Sequence, residues 1–392
     1  MTPHDNNGHR RPARLQAPMI VETTEDAALL RQALKGVKRL ALDTESNSLH
    51  AYTPHVCLIQ ISTDWEDFLV DPLKLDMAHD GAFLGDLCTD PEVEIAFHAA
   101  EYDIMMLRRD FGWTFHNLFD TMIGARVLGW EKVGLGNILE ERYGVRVNKK
   151  HQRADWGHRP LDSELIRYAQ MDTHYLLDLR DFLYEQLANG DHVAEAKELF
   201  DEVCLARWNG DDFDPDGFWT INKTRGLSGQ EMAILRELYL YRDQKARDRD
   251  VPVFKVMGDH TLVTLAQEKP RSTHEVGHIH GISGWQEREY GRGIVEAIKR
   301  GLQAEPPQPP ERNHNRPPDD VLRRYDALHT WRKERAAKRG VSSEIVVSKD
   351  TLWELARQAP ATLDELAKLD SIGPWRTEFY GDEILDVLAR VD

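Results

Sequence analysis

The sequence predicts an α/β domain, a mixed sheet flanked by helices, followed by two small all-α helical bundles. Three observations carry this prediction. The first two hundred residues alternate short apolar runs with amphipathic ones, as strands and helices packed in layers do. The second half reads as almost wholly helical. Within it, Ile282, Trp285, Tyr290, Gly291 and Ile294 return as Ile372, Trp375, Tyr380, Gly381 and Ile384, each 90 positions on.

The elements follow in order. "MIVETTEDAALLRQAL" reads as a short strand, a cap at Thr24 and a helix. "RLALDTES" is the next strand, and "VCLIQIST" and "DFLVD" are two more, joined by a turn at "DWE". "EIAFHAA" is a further apolar run before the helical "EYDIMMLRRDFG", and from "TMIGARVLGW" to "LLDLRDFLYEQLANG" the pattern is mostly helical. The acidic "NGDDFDPDG" marks the end of this domain. The repeat extends backwards without a gap, pairing Arg242 with Arg332, Arg249 with Arg339, Leu262 with Leu352 and Pro270 with Pro360. Two copies are too few for a stacked solenoid, so we read a duplication. The expected boundaries are a disordered tail over 1–18, the α/β domain over 19–208, a connector over 209–226, the bundles over 227–303 and 319–392, and a Pro-rich, semi-rigid linker over 304–318.

At 392 residues the chain has room for two or three domains. A net charge of −17 argues for a soluble protein and against a broadly basic nucleic-acid binder, although local patches can still bind. Cys57, Cys88 and Cys204 form no CxxC pair, so neither a disulfide framework nor a zinc site is expected, and a reducing compartment fits. The start of the chain lacks the apolar core of a signal peptide, and no run reaches transmembrane length. The expectation is a cytoplasmic protein with no membrane partner, and a monomer, since no heptad seam stands out.

Three segments hold candidate chemistry. Asp43 and Glu45 end an apolar strand two residues apart, so they point to one side of it. Two carboxylates so placed are either a solvated strand end or the seat of a cation. Asp103 opens or enters a helix, where a carboxylate also suits the helix dipole. Tyr168 and Asp172 share a helix face at the edge of a stripe formed by Ile166, Leu176 and Leu179. His98 alone reads as a packing or hydrogen-bonding residue. Each group has an ordinary structural explanation. Taken together, four carboxylates suit hard divalent cations such as Mg²⁺, which favour oxygen ligands.

In this order and spacing, Asp43-x-Glu45, His98 five residues before Asp103, and Tyr168-x-x-x-Asp172 resemble the DEDDy 3′→5′ exonucleases of the ribonuclease D family. "CLIQIS", "FDT" at Phe119–Thr121 and "NKKHQRADWGHRPL" strengthen the likeness, and the two repeats resemble HRDC domains. The resemblance implies a ribonuclease H-like exonuclease fold and a phosphodiester hydrolase acting on RNA from its 3′ end. It implies two divalent ions, Mg²⁺ or Mn²⁺. Asp43 would bridge them, Glu45 and Asp172 would complete the first site, Asp103 would hold the second, and Tyr168 would orient the attacking water, with His98 supporting. The implied partner is RNA with a single-stranded 3′ end, tRNA precursors above all. The second repeat departs from the HRDC pattern, with Val341-Ser342-Ser343 where the first has Val251-Pro252-Val253.

For the nucleic acid, Lys149, Lys150, Arg153, Arg159 and Trp156 combine cations with an aromatic ring, a pattern that suits a single-stranded backbone and a stacked base. Arg242 and Arg249 belong to a cationic helix end in the first repeat, echoed by Arg332 and Arg339 in the second. Two other readings stand beside this one: the same chemistry on DNA, and a non-catalytic nucleic-acid-binding scaffold, which would be expected to lose at least one of the five core residues.

Overall fold

A computed structural model describes residues 15–208, 210, 213–222, 224–309 and 317–391. The expected tail and linker lie partly outside these residues. The chain forms two compact units: one of Met1–Ser46, Val56–Trp208 and Pro317–Asp392, the other of Asn47–His55 and Asn209–Arg316.

The first unit opens with β1 (Met19–Val21), α1 (Thr24–Ala33), β2 (Arg39–Ser46), β3 (Val56–Ser62), β4 (Asp67–Val70) and α2 (Ala82–Thr89). It continues with β5 (Glu94–Phe97), α3 (Glu101–Phe111), β6 (Leu118–Asp120), α4 (Thr121–Val127) and α5 (Leu135–Tyr143). Then come α6 (Ser163–His174), α7 (Leu176–Asn189) and α8 (Val193–Cys204). The strands form one sheet in the order β1-β4-β3-β2-β5-β6. β3 runs antiparallel to β2 and β4, while β1 with β4, β2 with β5 and β5 with β6 are parallel. Central strands are covered on both faces, which is why β3 is buried at all seven positions and reads as a continuous apolar run.

Two local expectations need correction. The cap of α1 is Thr23: its hydroxyl accepts from the Asp26 N–H while the Asp26 carboxylate accepts from the Thr23 N–H, a capping box that Thr24 could not form. The helical run from Ile166 to Leu179 is two helices that part at Tyr175, so Ile166 does not share a helix with Leu176 and Leu179.

The second repeat belongs to the first unit. Its helices are α14 (Asp319–Arg339), α15 (Ser343–Val346), α16 (Lys349–Gln358), α17 (Leu363–Leu366) and α18 (Pro374–Ala389). The equivalent helices of the first repeat, in the second unit, are α9 (Gly229–Asp248), α10 (Val253–Val256), α11 (Asp259–Glu268), α12 (Thr273–Gly277) and α13 (Gly284–Gln303). The duplication extends to buried hydrogen bonds: Arg242 donates to the Met257 carbonyl at 3.1 Å, and Arg332 to the Val347 carbonyl at 3.1 Å.

α18 docks on α8 through a buried charge pair, Arg376 with Glu198, flanked by the exposed Glu202. Arg376, 3 % exposed, pairs with Glu198 at 2.9 Å and with Glu202. The Glu198 carboxylate also accepts the Trp375 and Arg376 N–H groups at the start of α18. Nearby, Arg339 pairs with the buried Glu195. A Cβ at Gly373 would collide with the Glu198 side chain and push its carboxylate off the partners it holds at the start of α18.

In the second unit, the loop Asn47–His55 packs with the first repeat. The Tyr52 hydroxyl donates to Asp243 at 2.5 Å, its N–H donates to Asp250 at 3.0 Å, and Arg247 lies over its ring.

Candidate active site

β2 supplies the first two carboxylates. Alternation puts Asp43 and Glu45 on one face, and the pairing with β3 shifts register just after Glu45, which releases the strand end from regular pairing. β5 supplies the route to the third. The chain leaves Phe97 through His98-Ala99-Ala100, with Ala99 in the left-handed region at φ 67°. The buried Asp120 carboxylate holds this corner by accepting from the N–H groups of Ala99 (3.1 Å) and Ala100 (2.8 Å), while also capping α4. Asp103 thereby falls in the first turn of α3. One of its oxygens accepts from the Thr44 N–H (3.1 Å) and hydroxyl (2.5 Å), which ties α3 to β2.

α6 supplies the rest. Tyr168 and Asp172 lie one turn apart, close enough that the Tyr168 hydroxyl lowers the proton affinity of Asp172, and the Gln152 side chain does the same to Tyr168. Ligand oxygens of Asp43, Glu45 and Asp172 lie within 4.8 Å of one another. Asp103 stands outside that trio but lines the same cleft, of about 490 Å³.

Burial dominates the electrostatics. Desolvation, then repulsion from Asp103, Asp172 and Glu45, holds Asp43 well above the usual carboxylate range, and Glu45 is raised the same way by burial, Asp172 and Asp103. Burial pushes Asp103 up to about 7 and Asp172 up to about 8. It also raises Tyr168, with help from the carboxylates, so its hydroxyl remains a hydrogen-bond donor. Two buried carboxylates, Asp103 and Asp172, and two half-buried ones, Asp43 and Glu45, all with raised proton affinity, fit a divalent cation: all donors are oxygen, and positive charge relieves their repulsion.

His98 lines the cleft as a half-buried, neutral ring. Burial lowers its pKa, and its Nδ1 lies 2.9 Å from the Thr121 hydroxyl. Tyr102, Asn137 and Gln152 line the cleft too and were missed in the sequence. Tyr102 and Gln152 stand within segments already singled out, but nothing in their pattern aims them inward.

The expected nucleic-acid contacts divide. Lys149 lines the cleft, and Lys150 and Arg153 are exposed nearby. Trp156 is 1 % exposed, with its ring centroid 6.0 Å from that of Tyr168; it supports the tyrosine from the core and is no platform for a base. Arg159 is bound to Asp71 at 2.6 and 2.8 Å and to the Cys57 carbonyl, so its guanidinium is committed within the protein. Arg242 is 5 % exposed and held by the Met257 carbonyl and Asp259, a structural arginine. Arg249 remains exposed, with its guanidinium 4.5 Å from the Trp285 ring.

Among the described residues, no helix is long and apolar enough to cross a membrane.

Comparison with known proteins agrees with this geometry. The 3′-5′ exonuclease family matches residues 18–188, and the HRDC domain matches 231–298 and 321–388, spans that begin and end 90 residues apart. Protein RRP6-like 1 of Arabidopsis thaliana is 36 % identical over 296 residues, covering 72 % of this chain and 46 % of its own. The chain spans 30–46 % of the length of the first curated relatives it matches. Ribonuclease D of Nitrobacter hamburgensis is 27 % identical over 371 residues, 93 % of this chain and 94 % of its own. The catalytic core of RRP6 from Trypanosoma brucei (mutant C496S) superposes with a TM-score of 0.65 at 30 % identity, covering 74 % of this chain and 81 % of that one. An exonuclease-family sheet bearing four converging carboxylates, followed by two HRDC domains, places the chain in the 3′-5′ exonuclease family, with the domain arrangement of ribonuclease D.

Proposed function

We propose that this protein is a metal-dependent 3′→5′ exoribonuclease. It would hydrolyse RNA from the 3′ end to nucleoside 5′-monophosphates. The observation that carries the reading is the meeting of Asp43, Glu45 and Asp172 oxygens within 4.8 Å, beside a protonated Tyr168. The name of its bacterial relative, ribonuclease D, favours RNA over DNA.

Asp43, Glu45 and Asp172 would hold one ion, and Asp43 with Asp103 a second. Such ions supply Lewis-acid stabilisation of the phosphodiester and a water acidic enough to attack it at neutral pH. The chain's own residues do the rest. Thr44 occupies one oxygen of Asp103, leaving the other for the site. The Tyr168 hydroxyl, which shares the cleft with Asp172 and Gln152, can orient the attacking water, and Lys149 at the cleft wall suits a phosphate. The substrates we infer are structured RNAs with a single-stranded 3′ end, tRNA precursors first among them. We place the enzyme in the cytoplasm as a monomer.

The test compares 3′-labelled and 5′-labelled single-stranded RNA with matched DNA, in Mg²⁺, Mn²⁺ or EDTA. Metal-dependent, stepwise loss from the 3′ end of RNA, absent in Asp43→Ala, is expected. Equal or faster trimming of DNA would transfer the activity to DNA, and tight binding with no cleavage of either would make the protein a scaffold.

A further inference from the structure

The underside of α6 is unusual for a helix packed on the centre of a sheet, because it is polar. α6 lies across β2, β3 and β4. Beneath it, Asp67 at the start of β4 accepts on one carboxylate oxygen from the Gln170 amide at 2.7 Å, and the same oxygen meets His174 Nδ1 at 2.7 Å. Its other oxygen accepts from the Ser62 hydroxyl at 2.6 Å, and that hydroxyl meets the Thr173 hydroxyl at 2.8 Å. All five side chains are buried. Ser62 and Asp67 face each other across β3 and β4.

Gln170, Thr173 and His174 thus reach one carboxylate system from three positions of a single helix. At 100° per residue they cluster on the side of α6 opposite Tyr168 and Asp172. The network therefore grips the back of the helix whose front serves the cleft. For stability alone an apolar face would do as well, since burying a carboxylate is costly and hydrophobic replacements of buried charge are often neutral or better. What a satisfied polar network adds is a single permitted register, because sliding or turning α6 would strand several buried donors and acceptors together.

We propose that Asp67 is a positioning residue of the catalytic centre: its carboxylate fixes the height and rotation of α6 on the sheet, and so sets Tyr168 and Asp172 against Asp43 and Glu45. This rests on the reading of the cleft as a metal-dependent nuclease site. Asp67 does not touch the substrate. It acts as outer groups do around metal ligands, where losing one typically weakens metal affinity or activity by about 10–100-fold.

The experiment uses the full chain with Asp67→Asn, which keeps the size of the side chain but cannot accept on both oxygens. Glu94→Gln is the comparison, since Glu94 ties the neighbouring α7 to β5 through Arg180 at 2.6 and 2.8 Å and has no part in α6. Mn²⁺ affinity by calorimetry, kcat and KM on a single-stranded RNA, and amide hydrogen exchange are read for each. For Asp67→Asn we expect Mn²⁺ affinity to weaken by about tenfold or more. At saturating Mn²⁺, kcat should fall with KM within about twofold, and α6 should lose protection selectively. Glu94→Gln should lower thermal stability without moving Mn²⁺ affinity. If Asp67→Asn fails to fold, Ser62→Ala with Thr173→Val removes one arm of the network and is expected to give a smaller effect of the same kind. Unchanged α6 exchange, or unchanged Mn²⁺ affinity and kcat in a variant that is merely less heat-stable, would overturn the proposal. A wild-type protein that neither binds Mn²⁺ nor cleaves RNA would instead overturn the nuclease reading, and the exchange measurement would still decide whether Asp67 holds α6.

Discussion

Replacing Arg376 by alanine should uncouple the second repeat from the helix on which it sits. Arg376 is 3 % exposed and its principal partner Glu198 is 8 % exposed, so the substitution leaves a carboxylate in the dry with its main counter-charge gone. Removing one member of a buried pair costs about 3–5 kcal/mol. The lower end applies here, because Glu198 keeps the Trp375 and Arg376 backbone N–H groups. We therefore expect about 3 kcal/mol, close to a hundredfold in the unfolding equilibrium and about 6–12 °C in melting temperature for a unit of this size. Urea titration followed by tryptophan fluorescence provides the measurement, since Trp375 begins the docked helix. A partner experiment sharpens it: Arg376→Met with Glu198→Leu removes both charges and should be less destabilised than Arg376→Ala alone. A loss below about 1 kcal/mol for Arg376→Ala would show that these charges stay solvated, and would refute the docking argument.

Three further outcomes are expected. Tyr168→Phe should slow RNA hydrolysis by about a hundredfold while leaving Mn²⁺ binding by calorimetry unaltered; unaltered turnover would remove the hydroxyl from the mechanism. In EDTA, stability should fall as pH rises from about 4 toward 8, because the folded protein holds protons on Asp103 (about 7) and Asp172 (about 8) that the unfolded chain has released. Melting curves should show that slope weakened by Asp172→Asn, and Mg²⁺ should offset it by replacing the protons. Arg242→Ala should cost about 1–3 kcal/mol by stranding the Met257 carbonyl, with RNA affinity by filter binding unmoved at a temperature where the variant is folded.

Much of this was legible in the sequence because the chemistry is local. Asp43 and Glu45 share a strand face by alternation, and Tyr168 and Asp172 share a helix face by the turn. The repeat could be read because Trp, Tyr-Gly and Pro recur at one offset. β6 escaped notice because three residues are too few to show a period. The expectation that Trp156, Arg159 and Arg242 face nucleic acid failed for a common reason. Composition shows that cations and an aromatic are present, but only the tertiary structure shows that Asp71, Asp259 and the Tyr168 ring claim them. Arg339 and Arg249 make the point most sharply. They occupy the same place in the two repeats and each meets a tyrosine hydroxyl, yet only Arg339 has the buried Glu195 to bind. Nothing near Arg339 in the sequence announces a partner that lies 144 residues away.

The loop that follows Glu45 carries a lesson about cutting this chain. Because Asn47–His55 folds with the first repeat, the backbone passes between the two compact units four times, at 46/47, 55/56, 208/209 and 316/317. The units are interlaced along the sequence, although each is compact in space. A truncation at residue 208, the obvious place to stop for a minimal nuclease, would discard the acidic partners Asp243 and Asp250 of Tyr52 and leave the nine residues that follow the strand bearing Asp43 and Glu45 without the surface they fold on. It would also strip α8 of α18. Such a fragment inherits two wounds, one of them a single residue from Ser46, and weak activity in it would measure the surgery more than the enzyme.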